Sequence, residues 1–258
     1  MVIILKKIIN LLLSPVFNKL GYVKKSKLKI VYKNESDKNF LLENLIAIIK
    51  NSGFQPTLII DIGANHGTWT RVWKARFTET MFVLVEPQEW LKPSFIDLLD
   101  DKTVFLPVGA GKENGTIKFT INSERDDSST FALSSNEAEA RGFKQIDMEI
   151  RTLNSIITEF GNRIPEIVKI DAEGIDIDVL EGASDLIGKT EMFLVEASLN
   201  SKFNQTELNI VVNYMNEKGY RAFEITDINR PFSNNVLWLV EIAFVKRGGF
   251  FDKLEWIN

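Results

Sequence analysis

Two kinds of apolar pattern alternate along the chain. Short unbroken runs rich in β-branched residues read as strands buried on both faces: Leu58–Ile62, Met81–Val85, 104–108, 167–171 and 192–197. Between them the apolar positions recur with helical spacing. Leu41, Leu45, Ile48 and Ile49 predict a helix over 38–52 that stops at Gly53. Helices are also expected over about 68–76 and 89–99, and after residue 174, where Ile175, Val179, Ala183 and Leu186 share a face. A last helix is expected to begin at Thr206 as its N-cap and to close at Gly219. Strand and helix in alternation predict an α/β fold, a mainly parallel sheet with helices on both faces.

The pattern departs from this alternation twice. Residues 116–121 and 147–153 alternate with period two and predict added strands, an insertion near 115–153. The polar stretch 122–144 between them has the length of a functional loop or lid. The final strands, 220–225 and 236–245, follow one another with no helix between, which predicts an antiparallel terminal hairpin.

Composition narrows the class. The chain has 258 residues and is 45% apolar, which suits one domain, 36–258, behind a short arm, 1–35. It has no cysteine, so it has no disulfide framework and no thiolate zinc site. That fits a reducing, cytoplasmic compartment. His66 is the single histidine, which excludes a multi-histidine metal site. Residues 1–33 hold eight lysines and no acid, so the remainder carries a net charge of −12. An acidic body speaks against nucleic acid as a partner. Residues 1–13 are apolar apart from Lys6, Lys7 and Asn10, too short and too charged to span a bilayer. Such a segment either lies on an anionic membrane surface, peripherally at its inner face, or packs on protein. Nothing in the sequence sets the oligomeric state.

The chemistry concentrates at the carboxyl ends of the expected strands, where α/β sheets bind ligands. Asp61-Ile62-Gly63-Ala64-Asn65-His66-Gly67 joins the first of them to a helix. Its glycines allow a close backbone approach. It is not the G-x-G-x-x-G of a pyrophosphate cradle, which counts against an NAD-binding protein. An acid ahead of the glycines suits a ligand with a cationic end. Glu86, at the tip of the second strand, can accept both hydrogen bonds of a ribose diol.

The 61–67 turn, Glu86-Pro87, Leu106-Pro107-Val108-Gly109, Lys169-Ile170-Asp171-Ala172-Glu173-Gly174 and Val179-Leu180-Glu181-Gly182-Ala183 together resemble the FkbM family of S-adenosylmethionine (SAM)-dependent methyltransferases, over roughly 55–200. The resemblance implies a Rossmann-like class I methyltransferase fold with a seven-stranded sheet. It also implies O-methylation of a hydroxyl, often on a sugar or natural product. It assigns Asp61, Gly63, Ala64, Asn65 and Gly67 to the methionine end of SAM, Glu86 and Pro87 to the ribose, and Val108 and Gly109 to the adenine. A sugar or glycolipid hydroxyl is a weak acid, so a base is useful. Asp171, Glu173 and His66 are the candidates, with Glu196 at the neighbouring strand end. An oxygen-held Mg²⁺ is the alternative, although the spacing does not specify three ligands. Asp171 and Glu173 also have a purely structural reading, as acids favouring a helix N-terminus. A methyltransferase fold without catalysis, serving as a binding module, is the non-enzymatic alternative.

Overall fold

The computed structural model of the chain describes residues 40–121, 133–199 and 206–254. The basic arm and residues 122–132 of the polar stretch lie outside the described residues. From residue 41 to residue 253 the chain forms one compact unit.

Seven strands make the main sheet: β1 (Leu58–Ile62), β2 (Met81–Val85), β3 (Thr103–Leu106), β7 (Ile167–Ile170), β8 (Met192–Ser198), β9 (Tyr220–Asn229) and β10 (Leu239–Lys246). Their order is β3-β2-β1-β7-β8-β10-β9. The pairs from β3 to β8 are parallel, and β10 inserts antiparallel between β8 and β9. The expected terminal hairpin is therefore present, with β10 making the inner contact. Its inner place suits its sequence, because all but the last residue of β10 are buried while most of β9 is not.

Side chains alternate between the two faces of these strands. Ile60, Ile62, Val83, Val85, Val168, Ile170, Phe193 and Val195 meet helices α4 (Leu153–Thr158), α5 (Asp176–Glu181) and α6 (Leu208–Glu217) in one apolar cluster. On the opposite face α2 (Thr68–Lys74) sends Thr70 to Asp61 of β1. Its Trp73 is wholly buried and stacks on Phe77. Arg71 and Arg76, on and just after α2, pair with Asp97 and Glu43, as exposed arginines of a surface helix do.

Several elements differ from the sequence pattern. The helix expected over 89–99 is a run of 3-10 turns, Glu89–Leu98, in which Phe95 leaves helical dihedrals. Pro93 lies inside that run, where its ring excludes a regular α-helix. The helix after residue 174 is regular only over Asp176–Glu181. Thr206 does not cap α6: Glu207 holds the N-cap position, and the Thr206 hydroxyl instead donates to the Gly174 carbonyl at 3.0 Å. The insertion is a small three-stranded sheet, β4 (Gly109–Ala110), β6 (Lys144–Arg151) and β5 (Gly115–Ile121) in that order. Within the stretch expected as a loop lies helix α3 (Ser135–Ala140), started by a capping box between Ser134 and Glu137. Helix α1 (Phe40–Asn51) falls where the spacing of Leu41, Leu45, Ile48 and Ile49 predicts it. Among the described residues no helix is long and apolar enough to cross a membrane.

Candidate active site

Strands β1 and β7 are neighbours, and the chain leaves them toward opposite sides of the sheet. Their carboxyl ends therefore form a topological switch point, where an open α/β sheet offers a crevice. The turn after β1 folds over the end of β2, and the N–H groups of Gly63 and Ala64 donate to the Val85 carbonyl at 2.9 and 3.2 Å. Gly63 has φ +72°, and a Cβ there would stand 1.9 Å from the Asp171 carbonyl oxygen. The two turns thus touch through backbone, and only glycine allows that approach.

Glu86 fastens the turn from the side. Its Oε2 accepts the Asn65 N–H at 2.8 Å and its Oε1 accepts the Gln88 N–H at 2.9 Å. The Gln88 side chain also hydrogen-bonds to this carboxylate. A carboxylate has about four acceptor sites, so capacity for a ribose hydroxyl remains. Burial pushes the Glu86 carboxyl up from its ordinary value, against the pull of the two N–H groups.

These turns line an open cleft with about 550 Å³ of empty space, its solvent-filled mouth included. Ile62, Gly63 and Asn65 form one wall, and Val85, Glu86, Pro87 and Gln88 the next. Gly109, Ala110 and Phe119 of the small sheet form a third, and Asp171, Ala172 and Glu173 the fourth. Of the expected cofactor residues, Gly63, Asn65, Glu86, Pro87 and Gly109 are brought together here, facing the candidate bases Asp171 and Glu173. Glu173 is exposed and has φ +52°, a left-handed conformation uncommon for a residue with a Cβ and frequent at functional turns.

Five expected residues stand elsewhere. Ala64 and Val108 are buried outside the lining. Gly67, at φ +69°, begins α2 against Phe95 and Leu98. The His66 ring turns away from the cavity to Ser94, with Nδ1 2.9 Å from its hydroxyl. Asp61 is wholly buried behind the turn, where its Oδ2 accepts the Thr70 hydroxyl at 2.6 Å. The cause is its register partner: Lys169 on β7 stands beside Asp61 and supplies the cation expected from a ligand.

No site role was expected for Gln88, Ala110, Phe119 or Lys169. The signal for Phe119 was its place with Ile117 and Ile121 on one face of a period-two strand. The signal for Lys169 was a lysine inside an otherwise apolar strand.

Further carboxylates surround the acceptor side. The Ala172 N–H donates to Asp176 Oδ1 at 2.9 Å, bracing the turn that carries Glu173. Burial pushes Asp176 up to about 6. Glu196 follows Asp171 across the sheet edge, and burial, then Asp171, Asp176 and Glu173, push its carboxyl well above the ordinary range. Among the described residues no group of three or more acids or histidines is arranged to hold a metal ion.

Glu241, paired across from Glu196, is buried and accepts the Thr226 hydroxyl at 2.6 Å. Burial pushes it up to about 7. A carboxyl raised by folding stabilises the fold below its ordinary pKa and loses that contribution as pH rises through the folded value. Stability should therefore fall as pH rises from about 4, levelling off once Asp176 and Glu241 have ionised near 6 and 7. Glu241→Gln should remove its share of that fall, at most about 3 kcal/mol. Urea unfolding at about pH 4 and about pH 8 checks this, and an unchanged pH dependence in the variant would contradict it.

The strand order, the glycine turn at the switch point and the acid at the tip of β2 define a class I methyltransferase architecture. The family model described as the methyltransferase FkbM domain matches residues 61–222, well over half of the chain, and the chain belongs to that family. It is a methyltransferase. None of the curated proteins compared with it matches. Among solved structures, the N-methyltransferase NodS from Bradyrhizobium japonicum aligns over 83% of this chain and 99% of that one, at 5% identity and a TM-score of 0.47. The 1,6-didemethyltoxoflavin-N1-methyltransferase from Burkholderia thailandensis, with bound 1,6-didemethyltoxoflavin and S-adenosylhomocysteine, aligns over 86% of each chain at 10% identity and a TM-score of 0.45. The precorrin-6y C5,15-methyltransferase from Geobacter metallireducens aligns over 82% of this chain and 92% of that one, at 10% identity and a TM-score of 0.42.

Proposed function

We propose that the enzyme methylates a hydroxyl group, on a sugar, glycan or glycolipid. One observation carries the reading: Asp171 and Glu173 line the same cavity as the cofactor turn and Glu86. SAM, when bound, supplies a methyl group already activated by its sulfonium. The backbone of Gly63 and Asn65 leaves room for the methionine end, and Glu86 accepts from a ribose hydroxyl. Gly109, Ala110 and Phe119 offer an apolar surface to the adenine. On the facing wall the carboxylates of Asp171 and Glu173 orient the acceptor hydroxyl, and one of them takes its proton as the oxygen attacks. Carboxylates accept hydrogen bonds from several hydroxyls at once, which suits a polyol acceptor.

Titration calorimetry with SAM and S-adenosylhomocysteine (SAH) tests the cofactor assignment, and a folded protein that binds neither would refute it. Methyl transfer from SAM across a panel of neutral glycans then tests the acceptor class. Methylation confined to amines would reject the hydroxyl reading. The lysines of residues 1–33 support peripheral contact with an anionic membrane. Flotation with anionic vesicles should show salt-sensitive binding that is lost on deleting those residues.

A further inference from the structure

Lys169 contacts both turns of the site from below. Its Nζ lies 3.0 Å from the Gly63 carbonyl oxygen and 3.2 Å from Asp171 Oδ2. The third neighbour is Asp61 Oδ1, at 3.4 Å, an oxygen with no hydrogen-bond donor of its own among the described groups. The Lys169 side chain is 6% exposed and that of Asp61 0%, whereas the Asp171 side chain is 34% exposed. Gly63 and Asp171 line the cavity while Lys169 and Asp61 do not, so Lys169 acts through its neighbours rather than on a ligand.

We propose that Lys169 is a positioning residue, whose buried ammonium holds the Gly63 carbonyl of the cofactor turn in register with the Asp171 carboxylate of the acceptor-side turn. The proposal rests on the SAM-binding reading of the cavity. An ammonium buried in a strand is costly unless it is paired, and here the pairing spans the two turns directly. Burial alone would push Lys169 down, but Asp171, Asp61 and Glu241 outweigh it and keep the ammonium charged. It therefore serves as a fixed cation and not as a base. Its charge also favours ionisation of Asp61 on β1, Glu86 beyond β2, Glu196 on β8 and Glu241 on β10. Removing it should loosen the cofactor turn and shift the acid limb of cofactor binding to higher pH.

The test uses SAH binding, which needs no acceptor. Lys169→Met removes the ammonium at similar length. The double variant Lys169→Met with Asp61→Asn also removes the buried carboxylate left without its counter-charge. The double variant should fold and bind SAH roughly tenfold or more weakly than the wild type, the scale of a lost charged hydrogen bond. In both variants the fall in affinity on acidification should begin at higher pH.

A chemical rescue separates positioning from general damage. The chain has no cysteine, so in Lys169→Cys the introduced thiol is unique. Aminoethylating it in the unfolded chain and refolding restores an ammonium on a side chain of nearly lysine length. SAH affinity should return to within about threefold of the wild type, a residual of under 1 kcal/mol. A folded double variant with wild-type affinity and pH dependence would overturn the proposal. So would a double variant that cannot fold, or an aminoethylated chain that refolds but binds no better than Lys169→Met. Failure of the wild-type protein to bind SAH would refute the cofactor reading itself, before any variant is compared.

Discussion

Gly63→Ala is expected to abolish measurable SAH binding and to cost the fold about 3 kcal/mol or more, the scale of a core clash added to backbone strain. The new methyl would lie 1.9 Å from the Asp171 carbonyl oxygen and 3.0 Å from its carbonyl carbon. Backbone cannot rotate aside as the end of a long side chain can. The position also has φ +72°, where a residue with a Cβ loses roughly 1–2 kcal/mol relative to glycine. Relief requires the turn after β1 to separate from the turn after β7, which breaks the Gly63 N–H bond to Val85 and the Lys169 bond to the Gly63 carbonyl. Both walls of the cavity move when that happens. Calorimetry with SAH, alongside urea unfolding, measures the two effects. Near-normal binding by a stable variant would show that the turns do not meet this closely.

Glu86→Ala should weaken SAH binding about a hundredfold, through the loss of two or more hydrogen bonds to a buried charged group. The carboxylate fastens Asn65 at 2.8 Å and Gln88 at 2.9 Å, and alanine leaves both N–H groups without their acceptor. It also removes the acceptor proposed for the ribose. Glu86→Gln keeps one amide oxygen and should lose less, about tenfold, because one turn stays fastened. The order Ala worse than Gln worse than wild type is the informative result. Equal losses would mean that charge alone matters, and no loss in either would take the ribose away from Glu86.

Much of the scaffold was legible in local patterns. β1 and β2 begin and end at the residues the apolar runs mark, because a short β-branched run between turn residues has few other stable states. The capping box of Ser134 and Glu137 was present in the sequence and marks α3, although the surrounding polarity suggested a loop. Helix α4 was hidden because 147–153 alternates as a strand does, up to Thr152, whose hydroxyl accepts the Ser155 N–H and turns the chain into a helix. The 89–99 segment misled in the other direction. Its helical spacing is real, but Pro93 and the turn at Phe95 prevent the i to i−4 ladder.

The site divides along the same line. The sequence by itself determined that a glycine turn follows the first strand, that an acid ends the second and that Asp171 and Glu173 follow a buried strand. These are matters of dihedral freedom and strand ends, which act over a few residues. Only the tertiary structure decided which acids face the cavity. Asp61 and Asp171 look alike in the sequence, each at or just past the end of an apolar run. Pairing β1 with β7 puts Lys169 beside Asp61, seals that carboxylate below the turn and leaves Asp171 above it, facing the cavity. Phe119 joins the cavity because the small sheet folds back over the switch point. Strand order and register are decided by contacts between segments a hundred residues apart, where burial of a whole face outweighs any local preference.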